Sequence, residues 1–199
     1  MQTPALAQLI EALKILPGVG QKTAQRMAFA LLERQREGGL ALAEALQTAM
    51  QHIRHCEQCR NFTEAPLCPI CASPRRDGSR ICIVESPSDL EVIEQAGVFD
   101  GHYFVLMGHL SPIDGIGPEE LGLDRLAQRL QTGTVKEVIL ALSATVEGEA
   151  TAWYLQQLAA EQGIPLTRLA QGVPFGAELE YLDTNTLAQA FRQRRKVEE

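Results

Sequence analysis

No run of apolar residues in this 199-residue chain approaches the roughly 20 needed to cross a bilayer. The opening stretch from Met1 to Ile15 mixes charges and Gln among its Leu and Ala, unlike a secretory leader. Cysteine is scarce, five residues in all, and four of them fall in two tight pairs. In a chain of this size that spacing disfavours a disulfide framework or a redox pair. These absences exclude a membrane-spanning helix and lead to the expectation of a cytoplasmic protein with reduced thiols. An excess of positive charge is also missing, since the net charge is −7, which on its face speaks against a nucleic-acid partner. The deficit is uneven, however. Residues 1–80 carry ten Lys/Arg against seven Asp/Glu, and residues 81–199 carry eight against eighteen. A basic front and an acidic back predict two different partners.

What is present starts with Cys56-Glu-Gln-Cys59 and, after eight residues, Cys68-Pro-Ile-Cys71. Two C-x2-C pairs offer four sulfurs to a tetrahedral ion, the arrangement zinc takes in closed structural sites. The intervening Arg60, Asn61, Thr63, Glu64 and Pro66 cannot build a core, so metal binding supplies much of the local folding energy. His52 and His55 flank Cys56, and His55 is a conceivable substitute ligand, but four thiols already complete the set. With all four positions filled, no open position remains for catalysis.

Ahead of the cysteines, Leu6, Leu9, Ile10, Leu13 and Leu16 recur at helical spacing, and Pro17 ends the pattern. In Leu16-Pro17-Gly18-Val19-Gly20-Gln21-Lys22-Thr23-Ala24, two glycines make a tight turn before a second helical pattern through Met27, Phe29, Leu31 and Leu32. Glycines let backbone N–H groups approach a guest closely, and a helix start offers unpaired donors with partial positive charge. Lys22 and Arg26, four apart, share a helix face and can hold a neighbouring phosphate. No base-reading residue is present, so binding is expected to ignore sequence. The plain alternative is an ordinary turn between packed helices. Taken with its chemistry, the segment resembles a helix-hairpin-helix DNA-binding motif, whose candidate contacts here are Gly18, Gly20, Lys22 and Arg26. Gly38-Gly39 is expected to break the pattern before a third helix through Leu40, Leu46, Met50 and Ile53.

From Arg80 the texture changes. Ile81-Cys82-Ile83-Val84 predicts a strand, Ser86 to Gln95 a capped helix, and His102 to Leu106 a second strand. Helix from Pro118 to Gln131, strand from Val135 to Leu142, helix from Glu147 to Gln162 and a short strand from Pro165 to Leu169 complete a βαβ alternation. Cys82 reads as a small buried hydrophobe. Glu85 closes the first strand, and Glu147 and Glu149 follow the third in Ser143-Ala144-Thr145-Val146-Glu147-Gly148-Glu149. This arrangement resembles the Toprim domain of topoisomerases, primases and related nucleases. That resemblance implies Asp at the positions here held by Ser143 and Thr145. Magnesium prefers anionic oxygens, so two hydroxyls in place of two carboxylates do not support a catalytic site. Asp114 could compensate only if its loop folded over Glu85, and an Asp in so Gly/Pro-rich a segment is ordinarily turn chemistry. The surviving Glu85, Glu147 and Glu149 instead suggest an acidic docking face.

The order of parts, together with Met107-Gly108-His109-Leu110-Ser111-Pro112 and the late Gly172-Val173-Pro174-Phe175-Gly176-Ala177-Glu178-Leu179-Glu180-Tyr181, resembles the RecR family of recombination mediators. The fold class expected is α+β in several modules: a helix-hairpin-helix region at 1–55, a four-cysteine zinc finger at 56–71, an α/β Toprim domain with a parallel sheet at 80–175, and a helical C-terminal tail at 176–199. The tail reads as a helix from Thr184 to Glu199, with Arg192, Arg194, Arg195 and Lys196 suited to its dipole. The resemblance implies structural Zn2+ as the cofactor and a non-catalytic protein that binds DNA and works with RecO and RecF to load RecA at single-stranded gaps. It also implies a homotetrameric ring, in the cytoplasm and on the nucleoid during repair. Two alternatives stand beside it, a Mg-dependent nuclease or topoisomerase-like enzyme and a protein-only scaffold.

Overall fold

Proline at the first turn of a helix lacks an N–H that would go unpaired there anyway, and Pro4 opens α1 (Pro4–Leu13). The computed structural model describes residues 3–194. Leu6, Leu9, Ile10 and Leu13 close on Val19, Ala24 and Ala28, and Ile10, Ala24 and Ala28 are buried in the small core that results. Ala24 and Ala28 lie one turn apart on α2 (Gln21–Arg34). α1 ends before the expected Leu16. Lys14, Ile15 and Leu16 donate to the carbonyls three residues back at 3.1 to 3.3 Å, a tightened last turn that delivers the chain to Pro17 and to Gly18 at φ +77°.

The break expected at Gly38-Gly39 is absent. Both glycines lie inside α3 (Arg36–His52), and the interruption falls at Gln35, with φ −138° and ψ 47°. Each glycine weakens a helix by about 1 kcal/mol, which the strong helix formers Leu40, Ala41, Leu42, Ala43, Glu44 and Ala45 offset. These three helices make up one unit, Met1–Ile53.

The second unit is Arg54–Glu199. It begins with β1 (Arg54–His55) and β2 (Phe62–Thr63), an antiparallel pair, and α4 (Pro69–Ala72), a single turn capped by the Cys68 sulfur. Then β3 (Asp77–Val84), α5 (Pro87–Ala96), β4 (Gly101–Val105), α6 (Leu123–Gln131), β5 (Glu137–Ala141), α7 (Val146–Glu161) and β6 (Leu166–Arg168) alternate. The sheet is parallel, in the order β4-β3-β5-β6. Being covered on both faces, the second half of β3, Ile81–Val84, reads as an unbroken apolar run. Ile81 and Ile83 pack with Phe104, Leu126, Leu130, Leu140 and Leu155 on one side, and Cys82 and Val84 with Leu90, Tyr103 and Val105 on the other. Burial pushes the Cys82 thiol up to about 12, which keeps it inert. A capping box fixes the start of α5: Ser86 Oγ accepts from the Asp89 amide (3.2 Å), and the Ser86 amide donates to Asp89 Oδ2 (2.8 Å).

Helix was expected from Pro118, yet α6 starts only at Leu123. Gly122 stands at φ +65°, outside the helical region, and residues 118–122 form turns. After β6 the chain makes a short helical turn at Leu179–Tyr181 and ends in α8 (Thr184–Arg192), whose N-cap Asp183 accepts from the amides of Asn185 and Thr186. The helix does not extend to Arg194, and Arg195 and Lys196 lie outside the described residues. Among the described residues no helix is long and apolar enough to cross a membrane.

Candidate functional site

Two short knuckles bring the four cysteines together. The first turns between β1 and β2, where the Cys56 amide donates to the Asn61 carbonyl (2.7 Å) and the Arg60 amide to the Cys56 carbonyl (3.0 Å); the second is the start of α4. Cys56, Cys59, Cys68 and Cys71 are buried, and their sulfurs all lie within 4.8 Å of one another. Cys59 and Cys68 sulfurs are 3.5 Å apart. Four thiolates at the zinc–sulfur distance of about 2.3 Å would be separated by about 3.8 Å along a tetrahedron edge, so the set fits zinc after small adjustment. The Cys68 amide donates to the Cys56 sulfur (3.3 Å) and the Cys71 amide to the Cys68 sulfur (3.5 Å), bonds that favour thiolates. Neighbouring thiols, Cys59 first, draw the Cys68 pKa down. His55 is not a ligand. Its Nδ1 donates to the Arg60 carbonyl (2.8 Å), and its ring stacks on Phe62.

The first knuckle is seated on the sheet by contacts that no local pattern announces. The Val105 amide, on the outermost strand β4, donates to the Cys59 carbonyl (2.8 Å). Arg60, itself at φ +67°, donates to the carbonyls of Leu106 (3.2 Å), Leu121 and Glu120 (2.9 Å). Its guanidinium fills the space that a side chain at Gly122 would take, with Nη1 2.6 Å from the position of a Cβ there. That glycine is therefore required twice, for its backbone angle and for the arginine beside it. From α6, Arg129 donates to the carbonyls of Gln58 (3.3 Å) and Tyr103 (3.0 Å) and to His102 Nδ1 (3.1 Å). A guanidinium cannot accept, so His102 Nδ1 is bare and its proton sits on Nε2, which has no partner among the described residues.

In the other unit, Gly20 is the N-cap of α2 without a side-chain cap bond. The first amide of the helix with a backbone acceptor is that of Ala24, donating to the Gly20 carbonyl (2.9 Å). The amides of Gln21, Lys22 and Thr23 are thus the free donors of a helix start. Gly18, Gly20, Lys22 and Arg26 are exposed around them, and neither cation has an ion-pair partner among the described residues. Nothing lies within 4 Å of the open side of either glycine, which leaves the turn accessible to a bulky anion.

The sheet has its own conspicuous point. The chain passes from β3 to β4 on one side and then crosses to β5 on the other, and ligands of such sheets settle in the crevice at the carboxyl ends of the two strands so separated. Glu85 and Ser143 stand there, joined to each other: Glu85 accepts from the Ser143 amide (2.9 Å) and hydroxyl (2.7 Å). Thr145 is spent as the N-cap of α7, accepting from the Gly148 amide (3.0 Å), and a Cβ at Gly148 would overlap the Ser143 carbonyl. Both hydroxyls therefore hold the loop together. Asp114 does not reach over Glu85 to any contact; it accepts from the Ser111 hydroxyl (2.6 Å) inside its own turn. Glu147 and Glu149 occupy the first turn of α7. Glu149 meets Arg168 in a two-pronged pair (2.5 and 3.0 Å), and that guanidinium holds its carboxyl below the usual range. Glu147 is exposed, with no ion pair among the described residues.

Family models match nearly the whole chain in the same order. The model for the RecR helix-hairpin-helix matches residues 6–50, that for the RecR four-cysteine zinc finger domain 53–73, that for the Toprim domain 79–170 and that for the RecR C-terminal region 172–195. The cofactor of the four cysteines is structural zinc. With three RecR-specific matches flanking a Toprim domain, the chain belongs to the RecR family and has the domain set of a recombination mediator.

Proposed function

We propose that this protein is a non-catalytic mediator that grips DNA by its sugar-phosphate backbone and, with RecO and RecF, loads RecA at single-stranded gaps on the nucleoid. One observation carries the reading: Lys22 and Arg26 are exposed beside the unpaired amides that open α2. A phosphate satisfies those amides and both cations at once, whatever the base sequence. Two cations per chain predict a slope of only about −1.8 in log K against log salt, so a single copy holds DNA weakly. Several copies around one duplex multiply the grip. Apolar surface left open by one chain supports a ring, a tetramer in our reading: Leu40 and Met50 on α3 are 69% and 77% exposed, and Phe175 and Tyr181 stand out from the other unit.

The absence of catalysis follows from chemistry. Magnesium needs anionic oxygens, and at the crevice Glu85 is met by a hydroxyl and an amide. We assign Glu85, Glu147 and Glu149 to a partner-docking face, with Glu147 as its most available charge. Lys22→Ala with Arg26→Ala tests the DNA contact. Gel shifts with duplex, gapped and single-stranded DNA at several salt concentrations are expected to show loss of retention with an unchanged circular dichroism spectrum. Undiminished binding would refute the assignment. Mg2+-dependent nicking by the parent would refute the non-catalytic reading.

A further inference from the structure

Ion pairs account for several arginines of the second unit: Arg76 meets Glu94, Arg80 meets Asp77 and Asp100, and Arg168 meets Glu149. Arg129 differs. Its partly buried guanidinium donates to two carbonyls and a neutral imidazole, and among the described residues no carboxylate answers its charge. A cation taken out of water without a counter-charge is strongly unfavourable. The cysteine set lies close by, since Gln58, whose carbonyl Arg129 holds, sits in the knuckle between Cys56 and Cys59. Zinc with four thiolates formally carries two net negative charges, themselves buried and in need of a cation.

We propose that Arg129 is the counter-charge of the zinc–tetrathiolate centre, and that it sets how tightly the metal is held as well as where the first knuckle sits. Each side answers the other: the thiolates justify a buried guanidinium, and the guanidinium justifies four thiolates packed against a sheet. Burial draws the Arg129 pKa down while the four thiols push it back up. Arg60, although adjacent to Cys59, is oriented differently. Its guanidinium is turned toward Glu120, Leu106 and Leu121, so Arg60 is a clamp and Arg129 is both clamp and counter-charge.

Charge and clamping are separable by substitution. Arg129→Lys keeps the charge and loses the forked hydrogen bonding; Arg129→Gln loses the charge and keeps a donor. The measurement is the rate at which zinc-loaded full-length protein yields its metal to excess 4-(2-pyridylazo)resorcinol, with zinc per chain from elemental analysis. Release from R129Q is expected to be at least about tenfold faster than from the parent, within the range for lost support of a metal ligand, and release from R129K within about threefold. Equal rates for the two variants, whether fast or slow, would overturn the counter-charge. Should R129Q fail to fold, R129K decides: folded and zinc-loaded it supports the proposal, and unfolded or metal-free it sinks it.

Discussion

Gly122→Ala tests how the zinc knuckle is fastened to the sheet. The substitution acts in two ways that can be sized separately. A side chain at φ +65° costs about 1–2 kcal/mol for an L-residue. The added methyl also falls 2.6 Å from Arg60 Nη1 and 2.9 Å from Cζ, and this guanidinium is not free to swing aside, because three carbonyls hold it. Displacing it forfeits at least one hydrogen bond from a charged donor, about 1.5–3 kcal/mol. The expected total is about 2.5–5 kcal/mol, large for a single methyl group. In an Arg60→Met background only the backbone strain remains, so the same change should cost about 1–2 kcal/mol. Trp153 on α7 is the only tryptophan in the chain, and its fluorescence during urea unfolding of zinc-loaded protein follows the sheet unit. A double-mutant cycle should return a coupling of about 2 kcal/mol between residues 60 and 122. If the two substitutions add to within about 0.5 kcal/mol, Arg60 does not fill that space in solution.

Two other outcomes follow from the crevice and from the imidazole beneath the finger. Ser143→Asp puts a second carboxylate against Glu85 in place of a hydroxyl 2.7 Å away; like-charge repulsion of about 1–2 kcal/mol should lower the melting temperature by about 3–6 °C, and millimolar Mg2+ should restore it while leaving the parent unmoved. A variant that melts like the parent, or ignores Mg2+, contradicts this picture. For His102, burial and then the neighbouring Arg129 hold the pKa below its usual 6.5. The unfolded chain therefore takes up a proton that the folded protein declines, so the stability contributed by neutral His102 is complete above about pH 6.5 and fades as pH falls below it. His102→Gln keeps an acceptor for Arg129 but does not titrate, and its deficit in urea midpoint relative to the parent should shrink between pH 8 and pH 5.5. A deficit independent of pH would show that His102 takes up its proton equally in the folded and unfolded states.

The features legible in the sequence were those whose signal is local. Two C-x2-C pairs announce a metal site, Ser86 with Asp89 announces a cap, and the unbroken Ile81–Val84 run announces a strand covered on both faces. Propensity misled where neighbours compete: Gly38-Gly39 looks like a stop, yet the helix formers that follow carry α3 through it, and Pro118–Gln131 looks helical, yet Gly122 delays the start of α6. Least legible were Arg60, Arg129 and Arg168. In sequence Arg129 is one more polar residue on an amphipathic helix, and only folding brings it under Gln58, 71 positions earlier. Arg168, at the end of a short strand, gave no hint that it would share the charge of Glu149. The one available clue was Gly122, an unexplained glycine at the head of a helical pattern.

The bond from the Val105 amide to the Cys59 carbonyl has a bearing on how this protein survives its own synthesis. β4 lies at the margin of the sheet, and its five residues are all buried. Such a margin, once uncovered, is a template on which another chain can lay a strand. The metal-bound knuckle caps that template, so starving a cell of zinc or purifying with strong chelators should drive the protein into open-ended aggregates.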